Sequence, residues 1–417
     1  MRWSRVCLVV LLLPAPVLAG DWPQWLGPRR DGASAEKIEP WKGDPKKLWS
    51  EPVGEGYSVP VVAGGKVFVH ARVAGKDEEE VVALDAKTGK QLWRTAYARA
   101  PYRSFLNTGP QATPCVVGGK VYTFGITGVL SCFNAEDGKQ LWQVDVLKKF
   151  GVAVPRFGVT CSPLVVGDRV LAAVGGKGSA VVAFDAANGE VAWKALDGPI
   201  STASPVVYLN RARKGGAALE AVFVNGRSLV ALDPFDGSVS WEYVLSDQPL
   251  GTTPSPVVSG DLLLVGSNKL GGHAVLLTAE GEKITASSAW KNEELKGHFS
   301  TPLAVGKDHL YMLTTVLQPQ PGSKLCCVEM KTGKILWTQD KVGVFQAGLI
   351  RTGDDRVLVL DDSGLLRLLQ HDPTGYRELA RTQACGGTMV NPALANGCVF
   401  VRDGKAVTCL RLADQGG

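Results

Sequence analysis

The sequence predicts an all-β fold, an eight-bladed β-propeller, and two repeated landmarks carry this prediction. An eleven-residue segment with a small residue near its start, a Gly at its seventh position and a Trp at its end recurs five times. The copies are ALDAKTGKQLW (83–93), CFNAEDGKQLW (132–142), AFDAANGEVAW (183–193), ALDPFDGSVSW (231–241) and CVEMKTGKILW (327–337). Prolines form the second landmark, and those from Pro60 to Pro392 are spaced by about 47 residues on average, a period typical of propeller blades.

Each period contains the material for about four antiparallel strands. Runs such as KVFVH, VVALD and QLWRT are rich in β-branched and aromatic residues, and Gly-containing turns separate them. We expect the Asp85 carboxylate to accept turn amides and Gly89 to adopt a positive φ. A four-stranded unit cannot bury both faces alone, and radial stacking of copies solves this problem. The repeated tryptophans are therefore interpreted as structural residues that join blades: Trp49, Trp93, Trp142, Trp193, Trp241 and Trp337.

The ends of the chain are predicted to close the ring together. The last repeat, CLRLAD from Cys409, stops after its third strand, and KKLWSEP (46–52) can supply the missing outer strand. Units centred on 277–281 and 369–375 are degenerate copies that lack the Trp, so a seven-bladed ring is the alternative if one of them is not a blade. We expect a signal peptide at 1–19, an extended segment at 20–45, one propeller domain at 46–412 and a tail at 413–417.

The N-terminus predicts export. Arg2 and Arg5 precede an apolar run that Pro14 and Pro16 interrupt, which is typical of a Sec-type signal peptide and too short for a membrane span. Cys7 lies inside this run, so there is no lipobox at the expected cleavage site. The formal charge of +5 is small for 417 residues and does not favour nucleic acid as a partner. We expect a periplasmic or secreted protein without a transmembrane segment.

The A-x-D-x-x-x-G-x-x-x-W repeats resemble the pyrroloquinoline-quinone (PQQ) type of propeller repeat along nearly the whole mature chain. This family includes quinone-dependent alcohol and sugar dehydrogenases and cofactor-free members such as BamB. The segment GDWPQWLGPRRDG (20–32) before blades of this length is most similar to the cofactor-free, BamB-like exported propellers. The resemblance implies the fold strongly and says little about activity, because the repeat encodes blade contacts.

For an enzyme, the resemblance implies a flat quinone over a Trp in the central funnel, Ca²⁺ held by side-chain oxygens, an Asp base and a loop-borne pair of adjacent cysteines. Cys326 and Cys327 are adjacent, but their register places them in a strand, where neighbouring side chains point to opposite faces. The loops after the second and third Trp strands are basic, which is the wrong sign for a divalent cation. We therefore expect no cofactor, with PQQ and Ca²⁺ as the alternative.

The cysteines and histidines do not predict a metal site. Cys132, Cys327 and Cys409 occupy the small-residue slot of the repeat, where cysteine serves as a buried apolar residue. Cys398 is the best candidate for a disulfide with Cys409, since the two would be directly opposed across a two-residue turn at 403–404. The five histidines are scattered over different units, so no metal ligand set is expected.

The loops that join each Trp strand to the next Pro are expected to rim one mouth of the ring and to bind a partner. Those at 94–113 and 143–162 are the longest and combine aromatic with basic side chains, which are common anchors of recognition surfaces. The candidate binding residues are Tyr57, Tyr102, Arg103, Phe105, Arg156, Phe157, His298 and Gln346. WPQW (22–25) is interpreted instead as a hydrophobic plug packed against the ring.

These patterns favour an exported, non-catalytic scaffold that binds a protein, a peptide or an anionic glycan in the cell envelope, as a monomer or a subunit of a complex. A PQQ-dependent alcohol or sugar dehydrogenase is the alternative. No Gly-x-Ser-x-Gly elbow and no phosphate-binding loop is present in the sequence, so other catalytic classes have no support.

Overall fold

The computed structural model describes residues 20–412 apart from 105–106, 211–217, 249, 252–253, 281–282 and 318. Within these residues the chain forms strands almost throughout. Those of the first half are β1 (Lys46–Pro52), β2 (Val61–Ala63), β3 (Lys66–Arg72), β4 (Glu78–Asp85), β5 (Gln91–Ala98), β6 (Cys115–Val117), β7 (Lys120–Phe124), β8 (Val129–Asn134), β9 (Gln140–Asp145), β10 (Leu164–Val166), β11 (Arg169–Ala173), β12 (Val181–Asp185), β13 (Val191–Ala195), β14 (Val206–Asn210), β15 (Ala218–Asn225) and β16 (Ser228–Leu232).

The second half continues in the same manner. Its strands are β17 (Val239–Val244), β18 (Val257–Ser259), β19 (Leu262–Ser267), β20 (Gly271–Glu280), β21 (Lys283–Asn292), β22 (Leu303–Val305), β23 (His309–Val316), β24 (Gly322–Glu329), β25 (Ile335–Asp340), β26 (Ala347–Arg351), β27 (Arg356–Asp361), β28 (Leu365–Gln370), β29 (Glu378–Gln383), β30 (Ala393–Ala395), β31 (Cys398–Arg402) and β32 (Ala406–Arg411). A short helix, α1 (Val146–Phe150), follows β9.

The strands form eight antiparallel four-stranded sheets, which confirms the eight-bladed propeller. Blades 1 to 7 each take four consecutive strands, beginning with β2–β5. Blade 8 has the order β1-β32-β31-β30, so the N-terminal strand supplies its outer edge as predicted. The first strands of neighbouring blades lie beside one another around the axis, for example β2 beside both β6 and β30. The first strand of each blade is therefore its inner strand.

The repeated tryptophans donate their indole N–H to a carbonyl of the next blade, as Trp337 does to Asp372, except Trp241, which donates to the Glu220 carboxylate of its own blade. Trp142 of blade 2 donates its indole N–H to the carbonyl of Ala186 in blade 3 at 3.2 Å, and its ring covers Gly189 of the same turn. A Cβ on Gly189 would lie 2.7 Å from the indole, and its φ is +76°, so only glycine fits there. The same arrangement joins Trp49, Trp93, Trp193 and Trp290 to Gly89, Gly138, Gly237 and Gly333. The repeat thus encodes both halves of one contact between blades.

The Asp of the motif closes the turn on which the Trp packs. Asp85 accepts the amides of Lys87 and Thr88 at 3.1 and 2.8 Å, and Gly89 has a φ of +75°. Both expectations for this turn are confirmed. The strand register shifts by one residue at the same position of blades 1 to 7, as between Ala83 and Leu84 beside Trp93.

The prediction that the unit at 277–281 lacks the Trp is wrong. Trp290 lies opposite Ala274, as Trp93 lies opposite Ala83, and donates to the carbonyl of Met330 at 2.8 Å. The hairpin between β20 and β21 is longer than in the other blades, so the Trp follows the small residue at a larger sequence distance. The fixed spacing of the motif therefore missed it.

Blade 7 does lack the Trp, since Ala380 takes that position opposite Leu368. Blade 8 obtains its third and fourth strands from opposite ends of the chain, so it has no Asp-Gly turn on which a Trp could pack. Trp41 of the N-terminal segment lies at this boundary, packs against the adjoining core and donates to the carbonyl of Arg381 at 3.3 Å. The segment before β1 therefore covers the boundary that the repeat leaves open.

The predicted opposition of Cys398 and Cys409 is wrong. Cys409 pairs with Phe400, and Cys398 pairs with Arg411, because the turn lies one residue later than predicted, at 404–405, where the Asp403 amide donates to the Ala406 carbonyl at 3.1 Å. All eight cysteines of the described residues are free thiols. The two side chains still meet diagonally, and the hydrogen bond between them lowers the pKa of the Cys398 thiol. Cys132, Cys327 and Cys409 are fully buried opposite tryptophans, as their slot in the repeat predicts.

Candidate functional site

The two faces of the ring differ in what their connections do. The lower face carries the Asp-Gly turns between third and fourth strands, on which the tryptophans pack. The upper face carries the connections between blades, such as 99–114 and 146–163, and the turns between second and third strands, such as 362–364. The long loops are therefore on the upper face, and they take no part in the Trp-to-turn contacts that join the blades at the lower face.

The N-terminal segment fills the central channel. Trp22 is 2% exposed, and Arg30 is 3% exposed. The segment contacts five blades. Trp22 contacts Val62 of blade 1, Pro23 contacts Val116 of blade 2, and Arg30 contacts Pro163 at the start of blade 3. Trp25 contacts Ser255 at the start of blade 5, and Ser34 contacts Arg351 of blade 7. A single segment that touches the inner strands of five blades must lie on the axis. The prediction of a WPQW plug is confirmed.

Hydroxyl groups at the starts of the inner strands link neighbouring blades around the channel. The amide of Val59 donates to Thr113, the amide of Thr113 donates to Ser162, and the amide of Ser162 donates to Ser204, at 3.3, 2.9 and 2.9 Å. The hydroxyl of Ser255 at the same position accepts from the plug residue Trp25. The Ser/Thr-Pro pairs of the sequence thus have a structural role, which the strand patterns alone did not indicate.

A cavity of about 820 Å³ opens on the upper face near the axis. Blades 1, 7 and 8 and the connection from blade 6 to blade 7 supply its walls. Its charged side chains are Glu55, Arg72, Asp362 and Asp403. Among its apolar lining are Tyr57, Val344, Phe345, Met389 and Val390. Tyr57 is thus the predicted binding residue that the structure places directly in a cavity.

The carboxylates of this cavity are engaged in fixing its walls. Asp362 accepts the amides of Val344 and Phe345 at 2.9 and 2.6 Å. Burial opposes ionisation of Asp403, but hydrogen bonds from the amides of Lys405, Gly386 and Ala406 outweigh it and lower its pKa. Both side chains therefore hold the backbone of the upper face in place.

The residues present do not fit a quinone with calcium. None of the described residues that line the cavity is a Trp on which a flat quinone could lie. Within the described residues no group of three or more Asp, Glu, His or Cys side chains is close enough to hold a metal ion. Cys326 and Cys327 are consecutive residues of β24, 1% and 0% exposed, and not a loop-borne pair. The axial channel itself is filled by the plug.

The two longest loops meet on the upper face. The hydroxyl of Tyr102 donates to the carbonyl of Arg156 at 2.8 Å, and the amide side chain of Gln111 donates to the carbonyl of Phe157 at 2.8 Å. Tyr102 is buried, whereas Phe157 is 39% exposed and lies 5.5 Å from the Arg156 guanidinium, measured from ring centre to Cζ. These predicted residues are thus brought together, with Phe157 and Arg156 at the surface.

The other predicted binding residues are dispersed. Gln346 is 5% exposed, and its carbonyl accepts the amide of Asp362, so it supports the cavity wall from within. His298 is half-buried beside Phe299 in the connection from blade 5 to blade 6, and burial lowers its pKa. Phe105 lies outside the described residues. The candidate set is therefore spread over the whole upper face.

The basic character of the 94–113 loop is largely neutralised by blade 1. Arg103 forms an ion pair with Asp77 at 2.9 Å, and the buried Arg99 lies 3.9 Å from the Glu79 carboxylate. Arg94 lies 3.6 Å from Glu80. These pairs could not be read from loop composition, because their carboxylates belong to another hairpin.

Sequence reasoning missed the exposed apolar residues of blades 6 and 7. Val316, Val344 and Phe345 are 54%, 42% and 38% exposed on the upper face. An adjacent pair of large apolar residues in a short loop, as in GVFQ at 343–346, was the available signal.

The eight four-stranded blades and the Trp-to-turn contacts define a β-propeller of the PQQ-like repeat class. The chain matches, at residues 41–109 and 77–312, the family model described as outer membrane protein assembly factor BamB. These residues cover more than half of the chain, so it belongs to this family. The structure, over its described residues, has no helix long and apolar enough to cross a membrane.

The similar proteins fall into two groups. The outer membrane protein assembly factor BamB of Burkholderia pseudomallei is 27% identical over 376 residues, which cover 86% of this chain and 85% of that protein. A quinohemoprotein alcohol dehydrogenase of Pseudomonas putida is 32% identical over 109 residues, which cover 25% of this chain and 15% of that protein. The similarity to the dehydrogenase is therefore local.

Among the solved structures that share the fold are a BamB and a quinohemoprotein alcohol dehydrogenase. The crystal structure of BamB from Moraxella catarrhalis has a TM-score of 0.61 and 15% identity, covering 89% of this chain and 99% of that one. Quinohemoprotein alcohol dehydrogenase ADHIIG from Pseudomonas putida HK5 has a TM-score of 0.65 and 14% identity, covering 96% and 81%. At these identities the likeness concerns the fold alone, so the side chains of the upper face and channel must decide between the functions.

Proposed function

We propose that this chain is an exported, non-catalytic scaffold of the cell envelope that takes part in outer-membrane protein assembly and binds a protein partner through its upper face. The observation that carries the proposal is the filled channel. Trp22, Trp25 and Arg30 occupy the axis, and the cavity above them is walled by carboxylates that hold backbone amides. The similarity to BamB of Burkholderia pseudomallei along most of both chains supports the same reading.

The test uses two matched phenylalanines on opposite faces. Phe157 is 39% exposed on the upper face, and Phe235 is 47% exposed in an Asp-Gly turn of the lower face. Affinity-tagged full-length protein is expressed in its native envelope, crosslinked and purified, and the captured proteins are identified by mass spectrometry. We expect outer-membrane assembly proteins to be captured, Phe157→Asp to reduce the capture severalfold, and Phe235→Asp to leave it unchanged.

The enzymatic alternative is tested on the same preparation. The purified protein is mixed with PQQ and Ca²⁺ and assayed for reduction of an electron-accepting dye with alcohols or glucose. Dye reduction above that of the free cofactor would contradict the scaffold proposal. Capture of the same proteins by wild type, Phe157→Asp and Phe235→Asp would contradict the assignment of the upper face.

A further inference from the structure

A groove crosses the upper face from the axis to the outer edge of blade 6. The cavity of about 820 Å³ near the axis and a second one of about 650 Å³ share Val344, Asp362 and Ser363 in their walls. The second cavity continues outward to Lys324 and Asp340, a pair on the third and outer strands of blade 6. The two cavities therefore adjoin at these three residues, and together they extend from the axis toward the outer strand of blade 6.

The apolar wall of the groove is held rigidly by its backbone. The Asp362 carboxylate accepts the amides of Val344 and Phe345, while the carbonyls of the same two residues accept hydroxyl hydrogen bonds from Ser323 and Thr315 at 3.0 and 3.3 Å. Since the backbone is fixed on both sides, the Val344 and Phe345 side chains project outward at 42% and 38% exposure. A pre-ordered apolar surface loses little entropy when a partner covers it.

The charge of the groove changes along its length. Near the axis, the charged groups of the lining are the carboxylates of Glu55, Asp362 and Asp403 and the guanidinium of Arg72. Glu55 is 61% exposed at its side chain and lies 3.5 Å from Arg72, so part of its charge faces the cavity. This end of the groove therefore has a surplus of negative charge beside apolar side chains.

At the outer end the charges are balanced. Lys324 pairs with Asp340 at 3.2 Å, and the buried Arg367 pairs with Asp361 at 2.6 Å. Lys341 also lines this cavity and offsets the charge of Asp362, which both cavities share. An electrostatic preference should therefore arise only near the axis. Complementarity there calls for a cationic group next to an apolar one.

We infer that this groove binds an extended peptide segment of a partner protein, with a basic side chain at the acidic inner end and an apolar side chain against Val344 and Phe345. The inference rests on the proposed function and names the part of the upper face that selects the partner by its amino-acid sequence. An extended segment suits two cavities that adjoin along one direction. A basic side chain next to an apolar one distinguishes the bound segment from neutral or acidic segments. Phe345 acts as the apolar anchor and Glu55 as the charge-selecting residue.

The test uses a synthetic array of randomised heptapeptides probed with the purified full-length protein. We expect enrichment of peptides in which Lys or Arg stands within two residues of an aromatic or branched aliphatic residue. Affinities of the strongest peptides are then measured in solution by fluorescence polarisation. Phe345→Ser should weaken them by about fivefold or more, as for an anchor of a binding interface.

The controls separate the groove from the rest of the upper face. Phe299 is 40% exposed on the same face but lines neither cavity, so Phe299→Ser should leave the affinities unchanged. Glu55→Gln should weaken the basic peptides by about two- to fivefold and leave neutral ones unaffected, because a half-exposed charge contributes modestly. Circular dichroism checks that each variant is folded.

The outcomes distinguish this inference from the proposed function. An array without basic-plus-apolar enrichment, or equal losses in Phe345→Ser and Phe299→Ser, would overturn the groove assignment. If Phe157→Asp still reduces capture of assembly proteins in that case, the scaffold function stands and its partner binds elsewhere on the upper face. Loss of both signals would refute the two proposals together.

Discussion

Replacing Gly89 by Ala should destabilise the ring more than the same change at Gly65. Both glycines belong to blade 1, both lie on the lower face, and both have a φ of +75°. They differ in surroundings, because a Cβ on Gly65 would meet nothing within 4 Å, whereas one on Gly89 would lie 2.7 Å from the ring of Trp49. The pair therefore separates the conformational cost of the substitution from its effect on the contact between blades 8 and 1.

The magnitudes follow from two terms. An alanine in the left-handed region costs about 1–2 kcal/mol, which applies equally to both positions. Overpacking adds about 1–3 kcal/mol at Gly89 alone, since the Trp49 ring must move away from the turn and lengthen its 3.0 Å hydrogen bond to Ala86. We expect Gly65→Ala to lower the free energy of unfolding by about 1–2 kcal/mol and Gly89→Ala by about 2–5 kcal/mol.

Urea denaturation, followed by circular dichroism, measures the difference as a shift of the midpoint. A double variant tests its cause, because Trp49→Leu removes the ring, and Gly89→Ala in that background should cost only as much as Gly65→Ala. Equal midpoints for the two single variants would refute the claim that the Trp-to-turn contact holds the ring closed.

Three further variants test the closure, the plug and the acid sensitivity. Arg402 is fully buried and donates to the carbonyls of Ser58, His70 and Gly54 across the boundary of blades 8 and 1, so Arg402→Met should cost about 2–4 kcal/mol in urea denaturation. Trp22→Ala should lower the unfolding free energy by about 3–5 kcal/mol, and an unchanged melting temperature would contradict the plug. Burial lowers the pKa of His273 to about 4, below its usual value of 6.5. Because the unfolded chain then binds a proton that the folded one does not, stability should fall as the pH drops from 6.5 to 4, and His273→Gln should flatten this part of the curve.

Much of the fold could be predicted because the repeat records both partners of one contact. The Trp and the Gly each recur at fixed spacing, and in the ring the Trp of one copy packs on the Gly of the next. The prediction failed at Trp290, where a longer hairpin changed the spacing but not the packing. The number of residues between the small residue and the Trp depends on the length of the hairpin. The pairing of the Trp opposite the small residue is the same in both cases.

For the candidate site, the sequence predicted only the face of the ring on which it lies, and not which residues are neighbours there. The connection rule placed Phe157 and Tyr57 on the same side of the ring, but the path of 20–38 through the channel depends on contacts such as that of Arg30 with Pro163, which are 133 residues apart. The groove likewise combines Glu55 of blade 1 with Phe345 between blades 6 and 7. No local pattern reports such distant neighbours.

The lower face and the channel hold the ring together, and for this reason we expect partner binding to be confined to the upper face. On the lower face, five turns are packed at their glycine against a tryptophan of the preceding blade, so their geometry is fixed by the ring. The channel is fixed by the plug, which reaches five of the blades. A change of partner could therefore be accommodated at the upper connections, such as 343–346, without disturbing the contacts that close the propeller. If substitutions at Val344 and Phe345 lowered stability as strongly as those at Trp22 or Gly89, this separation of folding from binding would be wrong.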